Sequence, residues 1–342
     1  MKSIVSLLPL AALAVSEDLQ PQIPLSPVNG LTLDTLPRLG FGTWNLKEGN
    51  TSEAVSYAIR TGYRHIDCAA AYGNEQEVGK GIRDGLARAG LQREDIWVTS
   101  KLWNDKHDIN QVEGALDASL HKLGLTYLDL YHMHWPVADK LFGGKEINYL
   151  DAWSGMVLLK AKGKTRHIGI SNFSPKQLED LLNHTSIPPE VHQMELHPYL
   201  QQNEWIDFHK NHSIHVTAYS PLGGTNPTYG KKGKKDDPEP LLKSDVIHKI
   251  AKKRDCSPAQ VVLQWGLLRG TSVIPKSVHK NYIKENFKAT ECSLKEKDIK
   301  KIDKLGKYHH RYNNPSESWE VPLYEGLEDE DGKHRKSKFW LQ

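Results

Sequence analysis

Between residues 36 and 305, short apolar or β-branched runs alternate with longer stretches in which apolar residues recur every three or four positions. The first pattern reads as buried strands and the second as amphipathic helices. The strand-like runs are residues 39–42, 65–68, 96–101, 128–134, 167–171, 191–195, 216–220 and 272–275. Between them the helical pattern covers 52–60, 75–88, 112–122, 151–162, 176–183, 204–210 and 259–268, and Ser174-Pro175 has the form of a helix start. Eight such units in about 270 residues predict an α/β fold of the (β/α)8, or TIM barrel, kind, whose usual size is about 250 residues. An open doubly wound sheet fits less well. It would carry G-x-G-x-x-G after the first strand, whereas Gly40-Phe41-Gly42 runs into Thr43-Trp44-Asn45. Residues 31–33 and 35–37 are expected to form an N-terminal hairpin closing the barrel floor.

The ends of the chain follow other patterns. Residues 1–16 carry one lysine, an apolar run too short for the roughly 20 residues that span a bilayer, and then small residues. They read as a cleaved secretory signal peptide. Sequons at Asn50, Asn183 and Asn211 agree with a secretory or extracellular location. Residues 317–331 hold seven acids and no base, and 333–338 add four bases. We read 17–307 as one barrel domain and 308–342 as a long, irregular, charged C-terminal tail. A lysine cluster, Lys231, Lys232, Lys234 and Lys235, follows the seventh strand and is either a solvated loop or an anion-binding one.

With 38% hydrophobic and 25% charged residues in 342, the chain can bury a sizeable core and is neither disordered nor collagenous. Its net charge of +3 supplies no field for nucleic acid or an anionic membrane. Cys68, Cys256 and Cys292 are far apart and odd in number, so neither a disulfide framework nor a CxxC site is expected. That favours a reduced barrel, and with it a cytoplasmic alternative to export.

In a barrel of this kind the active site lies at the C-terminal ends of the strands. Asp67, Lys101 and His134 stand at three neighbouring ends, with Tyr72 just beyond the first of them. A tyrosine is a poor acid at neutral pH, and a nearby ammonium makes its proton easier to lose. Lys101 can supply that charge, Asp67 can hold the lysine protonated, and His134 can direct a carbonyl oxygen to the Tyr72 hydroxyl. Trp44, Trp103 and Trp135 would wall a substrate pocket that excludes water. Two rival readings exist. His132 and His134 share a strand face and could begin a metal-dependent hydrolase site, although the later strand ends supply no further His or Asp. A non-enzymatic redox sensor that retains nucleotide is the other, against which stands the presence of all four catalytic residue types. His132 is expected to fill a barrel layer, and the other histidines of the seventeen, including His309 and His310, to lie at the surface.

The stretch GYRHIDCAAAYGNEQEVG at 62–79, with TSKLWN, YHMHWP, GISNF, HQMELHPYLQQ, TAYSPLG and IPKS in order after it, resembles the aldo-keto reductase superfamily. The wording is nearest to its aldose, aldehyde and glycerol reductase (glycerol dehydrogenase) branch, and to fungal members. The resemblance implies an NADPH-dependent oxidoreductase that transfers hydride to an aldehyde, ketone or sugar, with NADH also possible. It assigns catalysis to Tyr72, Asp67, Lys101 and His134. By the same carry-over Ser171, Asn172 and Gln193 hold the nicotinamide carboxamide and Tyr219 stacks on the ring. Ser220 and Leu222 line the pyrophosphate path, Lys276 and Ser277 meet the adenosine phosphate, and Glu285 and Asn286 meet the adenine. No metal is implied, and a monomer is expected. One departure stands out: Tyr282 occupies the place of an arginine that clamps the 2′-phosphate, which predicts weaker discrimination against NADH. The short connection 136–149, with Phe142-Gly143-Gly144, is expected to leave one pocket wall open. The tail, with Trp319 and Tyr324, is expected to help define specificity.

Overall fold

The computed structural model describes residues 22–24, 35–138, 149–226, 228 and 238–327, and in it the alternation closes into a barrel. Strands β1 (Gln22–Pro24) and β2 (Thr35–Pro37) form a small antiparallel pair. The barrel begins with β3 (Phe41–Gly42), α1 (Thr51–Thr61), β4 (His65–Asp67), α2 (Glu75–Ala89) and β5 (Trp97–Leu102). It continues through α3 (Ile109–Leu123), β6 (Leu128–Met133), α4 (Tyr149–Ala161), β7 (Thr165–Ser171) and α5 (Pro175–His184). Then come β8 (Val191–Glu195), α6 (Asn203–Asn211), β9 (His215–Tyr219), α7 (Asp245–Arg254), α8 (Pro258–Leu268) and β10 (Ser272–Val273). Helices α9 (Lys280–Phe287), α10 (Glu296–Asp303) and the short α11 (Ser316–Trp319) complete the described chain.

Strands β3 to β10 are hydrogen-bonded in chain order. Leu39 bridges Val273 in parallel, Gly40 N donates to Val273 O at 2.9 Å and Val273 N donates to Arg38 O at 2.8 Å. These bonds join the last strand to the first and remove the sheet edge. The helices cover the outside, and most of the core is the apolar layer between them and the strands. Helix starts follow local chemistry: Ser174 and Ser257 each accept from the backbone of a glutamine three residues on, whose side chain bonds back, with proline at the first helical position. Gly169 of β7 lies opposite His132 of β6, and a Cβ there would meet the His132 ring at 2.6 Å, so the histidine fills space that the glycine leaves.

Four expectations are corrected. The hairpin partner of 35–37 is Gln22–Pro24, with Ile23 opposite Leu36. A pairing with 31–33 would have left a single connecting residue, fewer than the two a tight hairpin needs, and 31–33 lie outside the described residues. Helices α7, α9 and α10 were not anticipated, because each buries only two or three residues and shows too thin an apolar stripe to read. The histidines are not mainly superficial: His65, His107, His132, His134, His167, His192, His197 and His209 are all buried. A neutral imidazole is a compact, partly apolar group that tolerates burial when a nitrogen finds a partner. His65 Nε2 meets Thr99 Oγ1 at 3.0 Å, and His192 Nδ1 meets His209 Nε2 at 2.6 Å.

The fourth correction concerns the cysteines. Cys256 and Cys292 form a disulfide with Cα atoms 5.8 Å apart, although 36 positions separate them in the chain. The chain between them folds out through α8, β10 and α9 and returns, so distance along the sequence misjudged distance in space. Cys68 is free and buried. The expected signal peptide, the four-lysine cluster, Phe142-Gly143-Gly144 and the basic block at 333–338 fall outside the described residues. No described helix is long and apolar enough to cross a membrane.

Candidate active site

Lys101, in β5, is fully buried beneath the barrel mouth. Its Nζ donates to Asp67 Oδ2 at 2.7 Å, to the Cys68 carbonyl at 2.9 Å and to the Tyr72 hydroxyl oxygen at 3.1 Å. Asp67 ends β4, and its other oxygen accepts from Gln193 Nε2 of β8 at 2.7 Å. Tyr72 is presented by a single 3-10 turn, Ala70–Tyr72, that Gly73 terminates in the left-handed region at φ 70°. Neighbouring strands therefore converge on one ammonium, and all three of its donors are used.

The electrostatics follow from this geometry. Burial opposes the Lys101 charge, but Asp67 and Tyr72 outweigh it and raise its pKa, so the ammonium persists. Burial pushes the Tyr72 phenol up to about 12, against the downward pull of Lys101. The expected easing of the proton is thus present but smaller than the cost of burying a phenolate, and Tyr72 holds its proton at neutral pH. His134 lies one residue past β6, with its ring centroid 5.7 Å from that of Tyr72. Burial and the Lys101 charge hold it well below the usual imidazole range, so it is neutral.

The cluster opens into a cavity of about 810 Å3 whose lining includes Tyr72, His134, Asn172, Lys276 and Asn286. Every residue expected to touch cofactor or substrate lines this one cavity, and of the four expected catalytic residues only Lys101 lies behind the wall. Asn172 is held in the left-handed region at φ 62°, which asparagine tolerates better than most residues. Its Nδ2 donates to the His134 carbonyl at 3.0 Å and its Oδ1 accepts from the Tyr219 hydroxyl at 2.8 Å. At the far end Lys276 is half-buried, its ammonium lowered by burial, and Ser277 Oγ accepts from His279 N at 3.0 Å. Tyr282 is 56% exposed at the same end.

The tail contributes a wall that strand-end reasoning could not supply. Glu195, fully buried at the end of β8, accepts from Tyr312 N and Asn313 N, each at 2.8 Å, and from His197 Nε2 at 2.9 Å. Asn313 Nδ2 then donates to the Tyr219 hydroxyl at 3.0 Å. This anchor brings Trp319 edge-on to Trp135 at 4.9 Å and to Trp103 at 6.2 Å between centroids. Trp44, also in the lining, lies 6.4 Å from the Tyr72 ring between centroids. Asn313 and Glu195 were not singled out beforehand. The only signal for Glu195 was a carboxylate at a strand end, and Asn313 has none.

The metal reading finds no support in the side chains. No cluster of three or more His, Cys, Asp or Glu able to hold a metal exists among the described residues. The His132 ring is fully buried in the barrel, against the space that Gly169 leaves.

Comparison with known proteins completes the assignment. The family model described as Aldo/keto reductase family matches residues 38–307. An uncharacterised oxidoreductase of Schizosaccharomyces pombe is 44% identical over 308 residues, covering 86% of this chain and 92% of that protein. Aldo-keto reductase family 1 member A1 of Bos taurus is 41% identical over 286 residues, 80% of this chain and 86% of that one. Among solved structures, a Bombyx mori aldo-keto reductase in complex with NADP matches with a TM-score of 0.80 at 36% identity, over 89% of this chain and 98% of that chain. A family model spanning the whole barrel and relatives this similar over most of their length establish that the chain belongs to the aldo/keto reductase family.

Proposed function

We propose that the protein reduces aldehydes, ketones and open-chain aldoses to alcohols with NADPH, that Tyr72 is the general acid, and that alcohol oxidation runs the same path in reverse. As an aldo/keto reductase the protein is an oxidoreductase of carbonyl and alcohol groups, and a relative of the same fold is known in complex with NADP. The observation that carries the reading is the Lys101 ammonium, bonded at once to Asp67 and to the Tyr72 oxygen.

The cavity suits such a cofactor. Amide and hydroxyl groups of Asn172, Gln193 and Ser171 line one part of it, and Lys276, a half-buried ammonium, lines another with Ser277. A cation whose only resolved perturbation is burial gains most from an anionic ligand such as a phosphate. When bound, NADPH supplies a hydride to the carbonyl carbon. Because Lys101 donates to the phenol oxygen, the Tyr72 proton is free to point into the cavity. As the substrate oxygen gains charge, Tyr72 gives it that proton, and the phenolate left behind is stabilised by Lys101. Neutral His134 orients the carbonyl without competing as an acid. Tyr219, clamped by Asn172 and Asn313, is held flat-walled beside the reacting end.

NADPH oxidation with glyceraldehyde and aromatic aldehydes tests the reading. Tyr72→Phe is expected to lower turnover by about 10²- to 10⁴-fold, the usual weight of a general acid, with NADPH affinity nearly unchanged. A variant that keeps most of its turnover would overturn the role of Tyr72. Tyr282→Arg is expected to raise the NADPH over NADH preference by about tenfold, the scale of one charge-assisted bond; an unchanged preference would remove Tyr282 from the phosphate end.

A further inference from the structure

We infer that this barrel is built for an oxidising, glycosylating compartment, with Cys256 and Cys292 as a structural disulfide and Asn50, Asn183 and Asn211 as N-glycan acceptors. The disulfide needs no movement of the chain. Its Cα separation of 5.8 Å lies in the ordinary range, and each half is fixed independently: Cys256 N donates to Ala251 O at 3.0 Å and Cys292 N to Ala289 O at 3.1 Å. The pair sits in the satellite core beside α8 and α10, with Val261 and Leu305. Cys68 is enclosed in the barrel and burial pushes its thiol up, so it offers no thiolate to reshuffle the bond. Oxidation takes two protons and two electrons from the two thiols and passes them to a disulfide-bearing exchange partner, which leaves as a dithiol.

The three asparagines meet an independent requirement. A glycan attached to the unfolded chain must find its asparagine at the surface after folding. Asn50, Asn183 and Asn211 are all exposed, and none lines the cavity. Asn50 begins α1 without a side-chain cap bond. Asn183 lies in the last turn of α5 and Asn211 ends α6, so both sit where helices return to the barrel floor, opposite the mouth. The middle residues, Thr51, His184 and His212, are not proline. In the transfer the amide nitrogen bonds the first sugar carbon and loses a proton as the diphosphate lipid carrier departs. Residues 1–16 have the composition of the leader that would deliver the chain to both chemistries.

The test uses the full chain with its own N-terminus, expressed in a fungal host and purified without reductant. Alkylation, unfolding and peptide mapping are expected to recover a Cys256–Cys292 cross-linked peptide and one alkylated thiol, Cys68. Peptide N-glycosidase is expected to convert residues 50, 183 and 211 to aspartate, and Asn50→Gln, Asn183→Gln and Asn211→Gln each to remove one mobility step. Cys256→Ser with Cys292→Ser is expected to lower the thermal midpoint by as much as reductant lowers that of the parent. Free, alkylated Cys256 and Cys292, or a glycosidase-insensitive chain retaining Met1, overturns the inference. These readouts do not involve catalysis, so their failure is distinct from a failure of the reductase reading.

Discussion

The cavity has a floor built by strands and a wall built by the tail, and the two are held in different ways. On the floor, Asp67, Lys101 and Gln193 are buried and bonded to one another across three strands, each fixed by the barrel's own hydrogen-bond ladder. The wall is tied down at scattered points: Glu195 holds Tyr312 N and Asn313 N, Arg311 donates to Gln202 Oε1 at 3.2 Å, and Leu323 and Tyr324 are buried in the core, so that the chain between them carries Trp319 to the pocket. A group that must meet a reacting atom to within a fraction of an ångström belongs on rigid elements, whereas a wall that selects substrates can be rebuilt without disturbing them. The difference predicts that damage to the floor removes chemistry and damage to the wall alters selection.

The largest expected effect bears on the barrel as a whole, floor and surrounding helices together. Burial holds His132, His134 and His192 well below their usual range, His65 and His107 at about 4, and His209 and His215 at about 3. Below about pH 6.5 the unfolded chain takes up protons that these rings refuse in the fold, so stability is full above that pH and falls as the pH drops toward the folded values. Each ring contributes up to about 1.4 kcal/mol per pH unit. Thermal melts should show a steep fall from pH 7.5 to 5.5; equal midpoints would mean that the rings are not neutral in the fold.

Next is Lys101→Met, which leaves Asp67 buried without its cation. Turnover should fall about 10³-fold and stability by about 3–5 kcal/mol, the cost of an uncompensated buried charge. Tyr72→Phe, losing the acid but leaving the ion pair, should keep its stability, so the two variants separate chemistry from folding. Glu195→Gln leaves one tail amide without its acceptor, a loss of about 1–3 kcal/mol. The Michaelis constant for aldehydes should rise about tenfold with turnover largely kept, and limited proteolysis should cut the tail sooner. If turnover fell and affinity held, the tail would belong to the chemistry and the contrast would break. Trp319→Ala should be smallest, a few-fold shift between aromatic and small aldehydes, on the scale of one aromatic contact of about 1 kcal/mol.

What could be read along the chain and what could not divides by the range of the interactions. The strand and helix alternation is local, written in runs of a few residues, and parallel strands joined by helices must bring their C-terminal ends together. Asp67, Lys101 and His134 therefore fell into one site as soon as the barrel was recognised, and Tyr72 followed because a five-residue excursion from β4 cannot leave the mouth. Edges were less legible: β6 stops at Met133, one residue before His134, since the ladder and not the apolar run decides where a strand ends. Helices α7 and α10 escaped because their faces are mostly solvated.

The amino-acid sequence by itself determined the barrel, the order of its strands and the residue types at its mouth, because these rest on short-range periodicity and on motifs of a few residues. Only the tertiary structure decided that Cys256 meets Cys292, that eight of the described histidines are buried, that Glu195 catches a tail more than a hundred residues away, and that burial outweighs Lys101 at Tyr72. The physical reason is common to all four. Each depends on which groups, remote along the chain, exclude water from one another, and no local pattern of hydrophobic and polar positions encodes that.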